Sequence, residues 1–138
     1  MAETAPTKGK IKFKIISPLA IVTEQEVDKI LLPLSSGLVL ILPRRAPLLA
    51  AVKVGKIITT NEGREETYFV SSGIVEVRRD ICAVCAWGIK ASDIKPDEIR
   101  QRLEMLQKHP THSAAEKHFT QDLIFFLNNI LDIYPDKN

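Results

Sequence analysis

The chain has little of what most chemistry requires. Its 138 residues contain only two cysteines. No apolar run approaches the roughly 20 residues needed to cross a bilayer, so membrane contact is expected only through a partner. The formal net charge is +2, whereas a surface that tracks phosphates shows as a strongly basic domain or stripe. Nucleic acid is therefore disfavoured, and so is binding to a membrane surface by charge. A glycine-rich phosphate loop and a nucleophile elbow are both missing. Ser71-Ser72-Gly73 has the small residues of such a loop but leads into a strand, not into a helix whose N-terminus could hold a phosphate. No repeat or low-complexity segment is visible.

The few candidate ligands do not converge. Cys82 and Cys85 are three apart within an expected strand, where such positions face opposite ways. They lack a second cysteine pair and do not open a helix as a redox pair does, so core packing is expected of them. His109, His112 and His118 gather around an expected interhelix turn with only Glu116 close by; they read as solvated turn residues, and no metal site is expected.

Hydrophobic residues make up 45% of the chain and charged residues 26%, the balance of a globular protein. Its length suits one compact unit or a small domain with an appendage. Met1 to Lys10 is polar, contains Pro6 and Gly9, and lacks the apolar centre of a secretory signal. Glu3 and the absence of arginine there fit an organellar transit peptide poorly. The expectation is a flexible N-terminal arm, residues 1–10, on a mature cytosolic-side protein.

Ile11, Phe13 and Ile15 alternate with Lys12 and Lys14, the period of a strand with one buried face, and Ser17-Pro18 turns the chain. From Leu19 to Val27 the pattern weakens around Thr23 to Glu26, as at an exposed edge, before Ile30 to Leu32 resumes it. The stretch Gly37 to Leu49 is an apolar run, a turn carrying Arg44 and Arg45, and a second apolar run. Pro43 and Pro47 mark the corner, so two strands side by side are expected with both arginines at the loop tip. Leu48 to Val52, Ile57 to Thr60, Thr67 to Val70, Ile74 to Val77 and Ile81 to Ala86 follow as strands. Gly55, Asn61-Glu62-Gly63, Gly73 and Arg78-Arg79-Asp80 supply the turns. Such spacing predicts a β-sandwich or flattened barrel over 11–87.

After Gly88 the period changes. Pro96 suits the first helical position, Asp97 and Glu98 place negative charge at the positive end of the dipole, and Ile99, Leu103 and Leu106 recur until His109-Pro110. Ser113-Ala114-Ala115-Glu116 has the form of a capping box. It opens a second helix with Ala115, Phe119, Leu123, Phe126, Leu127, Ile130 and Ile133 on one side, ending near Tyr134-Pro135. The short linker predicts an antiparallel α-helical hairpin over 88–138. Two helices make a thin core, so this hairpin is expected to be less stable than the sandwich and movable.

Three stretches in order resemble the epsilon-subunit family of F-type ATP synthases, whose mitochondrial equivalent is called delta. Gly37-Leu38-Val39-Leu40-Ile41-Leu42-Pro43-Arg44-Arg45-Ala46-Pro47-Leu48-Leu49 is similar to the family's Gly-(acid)-Leu-Gly-(Ile/Val)-Leu-Pro-Gly-His-Ala-Pro-Leu-Leu. Ser72-Gly73-Ile74-Val75-Glu76-Val77 resembles Gly-Gly-(aliphatic)-(aliphatic)-Glu-Val, and Asp97-Glu98-Ile99-Arg100 resembles Asp-Glu-Ala-Arg.

The resemblance implies a rotor subunit that does no bond chemistry. Its β-domain would grip the gamma subunit and rest on the c-ring. Its hairpin would reach the alpha/beta hexamer when extended and restrain wasteful ATP hydrolysis. It further implies a peripheral location on the cytoplasmic face of the bacterial inner membrane. Gly37, Leu38, Arg44 and Arg45 stand at the implied c-ring and gamma contact. There the family's acid, which faces the polar loops of the ring, is Leu38, its second glycine is Leu40, and its Gly-His pair is Arg44-Arg45. The arginines are expected to meet carboxylates or carbonyls of the ring or of gamma.

Some members bind ATP through (Ile/Leu)-Asp-x-x-Arg-Ala. Asp97 and Arg100 match that motif as implied nucleotide-binding residues, but Pro96 and Gln101 depart from it. No arginine follows Arg102, and Lys117 is a poor set of partners for a triphosphate. No cofactor is expected apart from ATP as a regulatory ligand. Two readings compete with the rotor subunit: a free-standing β-sandwich that binds a protein or small ligand, and an enzyme built on the three histidines.

Overall fold

The computed structural model describes residues 6–133. The first five residues of the expected arm, the expected helix end at Tyr134-Pro135, and Asp136 lie outside them. The chain divides into two compact units, residues 1–92 and 93–138.

The first unit is built of ten strands: β1 (Ile11–Ile16), β2 (Ile21–Val27), β3 (Lys29–Leu34), β4 (Gly37–Ile41), β5 (Leu48–Val52), β6 (Gly55–Asn61), β7 (Arg64–Val70), β8 (Gly73–Arg78), β9 (Ile81–Cys85) and β10 (Gly88–Lys90). They bond in the order β10-β7-β6-β3-β5-β8-β9-β1-β2, with β4 branching from β3. This is the expected sandwich or nearly closed barrel. The alternation read in β1 is real: Ile11, Phe13 and Ile15 are buried and their neighbours are not. Their side chains enter one core with Val27, Ile30, Leu32, Ile41, Ile57, Tyr68, Val75 and Val84. β2 lies at one end of the strand order, as its weak pattern suggested. Gln25 on it donates to the Tyr68 hydroxyl at 2.8 Å, and Tyr68 donates to Glu66 at 2.8 Å, which ties β2 to β7 through side chains.

Two expectations need correction here. The apolar runs of the proline corner are not partners: β4 pairs only with β3, and β5 pairs with β8 and touches β3 at one position. A tighter turn wins. Ser35-Ser36 joins Leu34 to its partner Gly37 in a two-residue hairpin, and Gly37 has φ +126°, which favours a residue without a Cβ. Residues 42–47, with two prolines that cannot donate to a ladder, instead carry the chain from β4 to β5.

The helical part was expected from residue 88, but Gly88–Lys90 are the last strand, antiparallel to Val70, Phe69 and Tyr68. The Trp87 amide donates to the Ser71 hydroxyl and the Ser71 amide to the Trp87 carbonyl, both at 2.9 Å, which leads the chain into this strand. Three residues are too few to show a period.

Local details also differ from the reading of the turns. In the β6–β7 hairpin the positive φ falls on Glu62 and Gly63, while Asn61 is paired as a strand residue. Gly73 serves close approach rather than a turn, because a Cβ there would collide with the Cys85 carbonyl oxygen.

A 3-10 turn at Ala91–Asp93 crosses the boundary between the units, and the second unit holds α1 (Pro96–Lys108) and α2 (Ala114–Ile133). Pro96 opens α1, Lys95 provides no side-chain cap, and Asp97 and Glu98 sit in the first turn. At the start of α2 the Glu116 amide donates to the Ser113 hydroxyl at 3.1 Å. The Glu116 carboxylate reaches back to the His112 amide, one residue earlier than a capping box requires, at 3.4 Å. The helices pack on one another. Ile99 and Leu103 on α1, and Thr120, Phe126, Leu127 and Ile130 on α2, are buried. Ala115, Phe119 and Ile133, expected on the buried stripe, are exposed, and Leu106 and Leu123 are half-buried.

Candidate functional site

The strand directions sort the loops of the first unit to two ends. Antiparallel pairing of β1 with β2, β3 with β4 and β6, β5 with β8, and β8 with β9, and parallel pairing of β1 with β9, bring together the loops at 27–29, 42–47, 61–64 and 78–81 with Lys10. The loops at 17–20, 35–36, 53–54, 71–72 and 86–87 lie at the opposite end.

The first end is basic. Lys10, Lys29, Arg44, Arg45, Arg64, Arg78 and Arg79 stand there against the carboxylates of Asp28, Glu62 and Asp80. All three acids are engaged locally, Glu62 only by a loose pair with Lys10 at 4.0 Å. Asp28 accepts from Lys10 Nζ at 2.6 Å and from the Glu62 amide at 2.7 Å; with the Lys10 bond as the larger cause, its carboxyl is held below the usual range. Asp80 accepts from the Arg44 amide at 2.6 Å, and its own carbonyl accepts from the Lys12 amide at 2.9 Å. Arg44, Arg79 and Asp80 all have positive φ, at 66°, 53° and 59°. Two strained turns therefore meet through one hydrogen bond, which fixes the proline corner against the β8–β9 turn. Arg44, Arg78 and Arg79 are exposed, and Arg45 is half-buried with Nη1 donating to the Ala46 carbonyl at 3.3 Å.

The opposite end is nearly without charge. Its loops offer Ser17, Ser35, Ser36, Ser71 and Ser72 with Leu19, Val54 and Trp87, and Lys53 is the one ionic residue. Gly37 and Leu38 begin β4 at this end, and Leu38 is 71% exposed.

The four residues expected at a single contact are thus split. Gly37 and Leu38 lie at the uncharged end; Arg44 and Arg45 lie at the basic end. The five residues of β4 put about 15 Å between them, at roughly 3.3 Å per residue. Neighbours in sequence become opposite poles because the strand between them is extended.

The remaining candidates are dispersed. Asp97 and Arg100 face each other one helical turn apart, Nη1 to Oδ1 3.1 Å, both exposed on α1. Arg100 supports the helix start from the position where a nucleotide motif would use it. His109 lies 3.9 Å from Glu116 and His118 3.5 Å from Asp122, all on exposed or half-exposed side chains. Among the described residues no group of three or more His, Cys, Asp or Glu could hold a metal ion. Cys82 is buried and Cys85 exposed, on opposite faces of β9. Burial pushes the Cys82 thiol up to about 12, which suits packing rather than reaction. Among the described residues no helix is long and apolar enough to cross a membrane.

Sequence reasoning missed the basic end itself. Its arginines are scattered over three loops, and only the strand register brings them together; the signal available was the repeated Arg-Arg at 44–45 and 78–79, each at a turn.

Comparison with known proteins adds a consistent result. The family described as "ATP synthase, Delta/Epsilon chain, beta-sandwich domain" matches residues 10–91. An ATP synthase epsilon chain of Rhodospirillum rubrum is 32% identical over 118 residues, covering 84% of each chain. A chloroplastic epsilon chain of Coffea arabica is 32% identical over 94 residues, covering 67% of this chain and 71% of its own. Among solved structures, a chain of the Euglena gracilis mitochondrial ATP synthase, described as OSCP/F1/c-ring, aligns over 95% of this chain and 84% of its own, with a TM-score of 0.61 and 13% identity. A chain of the Tetrahymena thermophila mitochondrial ATP synthase, described as central stalk/c-ring, aligns over 92% and 98% with a TM-score of 0.52 and 12% identity. At those identities the structural likeness speaks for the fold.

Proposed function

The chain belongs to the ATP synthase delta/epsilon family, and from that premise we propose that it is a non-catalytic rotor subunit of the central stalk, joining the c-ring to gamma. The family match over residues 10–91 carries this reading, because it takes in every strand of the ten-stranded unit. In this role the subunit is peripheral, on the cytoplasmic face of the bacterial inner membrane, and reaches the membrane only through the ring.

The two ends of the β-unit suit two contacts. The uncharged end, with Gly37 and Leu38, meets the polar loops of the ring through serine hydroxyls and exposed backbone. The basic end, with Arg44 and Arg45, meets carboxylates or carbonyls of gamma, where planar guanidinium groups form paired bonds. Leu38 in place of a carboxylate moves the ionic part of the assembly from one pole to the other.

The helical unit restrains hydrolysis only weakly in this reading. Its exposed basic residues are few, and Asp132 stands near the end of α2. Asp97 and Arg100 engage each other and serve the start of α1 rather than a nucleotide.

The test is capture of purified gamma by the tagged full-length chain. We expect a stable complex, weakened by the double charge reversal Arg44→Glu with Arg45→Glu and retained by Leu38→Ala. Failure of the unaltered chain to hold gamma overturns the proposal; indifference to the double reversal overturns the assignment of the basic end.

A further inference from the structure

β4 is an open edge. It pairs with β3 on one side, and among the described residues no backbone bond is formed on its other side. In a two-residue hairpin the closing pair, Leu34 with Gly37, is mutually hydrogen-bonded. By alternation Val39 and Ile41 also bond inward to β3, and the N–H and C=O of Leu38 and Leu40 point outward to the empty side. Sheet edges are normally blunted by an inward charge, a lysine, a proline within the strand or a bulge. Gly37-Leu38-Val39-Leu40-Ile41 contains none of these. Leu38, Leu40 and, just beyond the strand, Leu42 are 71%, 48% and 49% exposed on its outer face. The edge then runs directly into the basic end, where among the described residues Arg44 and Arg79 form no ion pair and Asp80 already accepts from the Arg44 amide.

We propose that β4 accepts an added strand from a partner protein: an extended segment of alternating apolar residues that runs antiparallel to β4 and carries carboxylates at its N-terminal end. The backbone ladder supplies affinity and the arginines set polarity, since only one direction places the acids at the basic end. A second copy of this chain fits less well, because its own β4 is preceded by Ser35 and Ser36 and has no acid to offer the arginines. The proposal rests on the contact role given above to Arg44 and adds the form of the partner.

The test uses the full chain, labelled for NMR, and a synthetic peptide of two glutamates followed by alternating valine and threonine. In the free chain the Leu38 and Leu40 amides exchange quickly and those of Val39 and Ile41 slowly. On adding peptide, Leu38 and Leu40 slow by about tenfold or more as their donors are taken up. Replacing the two glutamates by lysines weakens binding about tenfold, as removal of a paired charge at an interface does. Leu40→Pro removes an outward donor and leaves the β3 ladder intact, so it abolishes binding without unfolding the sheet. The same peptide N-methylated at alternate residues fails to bind the unaltered chain, which keeps the test independent of that variant.

Equal binding of the lysine and glutamate peptides overturns the proposal, as does protection appearing elsewhere. Protection of Leu38 and Leu40 that rises with protein concentration alone assigns the edge to a second copy and overturns it too. Capture of gamma by the Leu40→Pro chain with unchanged affinity, alongside loss of peptide binding, separates this inference from the rotor role: the role stands and the strand addition is not part of it.

Discussion

The strand-built unit buries Ile11, Phe13, Ile15, Ile30, Leu32, Ile41 and Ile57 at 1% exposure or less, all within one cluster. The helical unit buries five apolar side chains and Thr120, none of them below 1%, and leaves Met105, Phe119, Phe125 and Ile133 largely open. Both units leave large apolar side chains exposed, Leu38 and Leu49 on the strands among them, but only the first closes over a core of side chains with no exposure at all. A unit whose core stays partly open holds less stability of its own and opens more readily.

The largest expected effect tests that contrast directly. Phe13→Ala removes a fully buried ring that lies 5.6 Å, centroid to centroid, from Tyr68, and should cost about 3–5 kcal/mol, a large part of a domain's total stability. Leu127→Ala should cost about 2 kcal/mol, near the lower limit for such a change, because Leu127 keeps 6% exposure in a small helical core. Circular dichroism and amide NMR will distinguish them: Phe13→Ala lowers the midpoint of the sheet, while Leu127→Ala diminishes the helical signal with the sheet resonances unmoved. Equal loss of both units in either variant would mean that they fold as one.

Acid sharpens the comparison with a smaller effect. Glu26, Asp28 and Glu66 are all in the strand-built unit, and each is held below its ordinary value. Hydrogen bonds are the leading cause: from Thr7 to Glu26, from Lys10 to Asp28 and from Tyr68 to Glu66. A carboxyl whose pKa is lower folded than unfolded contributes stability that is complete above its ordinary value and disappears as pH falls through the folded one. With ordinary values of 4.5 for glutamate and 3.8 for aspartate, the loss begins just above pH 4.5 and continues below it. Urea midpoints of the sheet should therefore hold between about pH 7 and 5 and drop steadily toward about pH 3, and Glu66→Gln should flatten part of that decline.

Much of this was legible beforehand, for reasons that also explain the gaps. β1 declares itself because burial on one face imposes a period of two on Ile11, Phe13 and Ile15. The helices declare themselves through Pro96, Ser113 and the stops at His109-Pro110. Pairing is another matter: nothing local says that Leu34 closes on Gly37 rather than Leu42 reaching Leu48, since both turns carry the residues turns require. β10 is held by its ladder to β7 and led in by the hydrogen bonds between Ser71 and Trp87, contacts distant in sequence, and it has no pattern of its own. The site suffered most. Leu38 and Arg44 are six positions apart and share a motif, and only the extended state of β4 turns that closeness into opposite poles.

The smallest expected effect concerns how the two helices begin. α1 starts with a proline and two acids and without a side-chain cap at Lys95, so its first amides are served by geometry and dipole alone. α2 starts on Ser113, whose hydroxyl takes the Glu116 amide. Ser113→Ala should cost about 1 kcal/mol, the usual worth of such a cap. Asp97→Ala loses only an exposed pair with Arg100 and a dipole contribution and should cost about 0.5 kcal/mol or less. Because α2 carries the longer apolar face, fraying its first turn should be visible as faster exchange of the Glu116 and Lys117 amides well before any change in the sheet. If Asp97→Ala proves the costlier of the two, then Asp97 is bound to something other than the start of its own helix, and the assignment of the Asp97 and Arg100 pair to local structure fails.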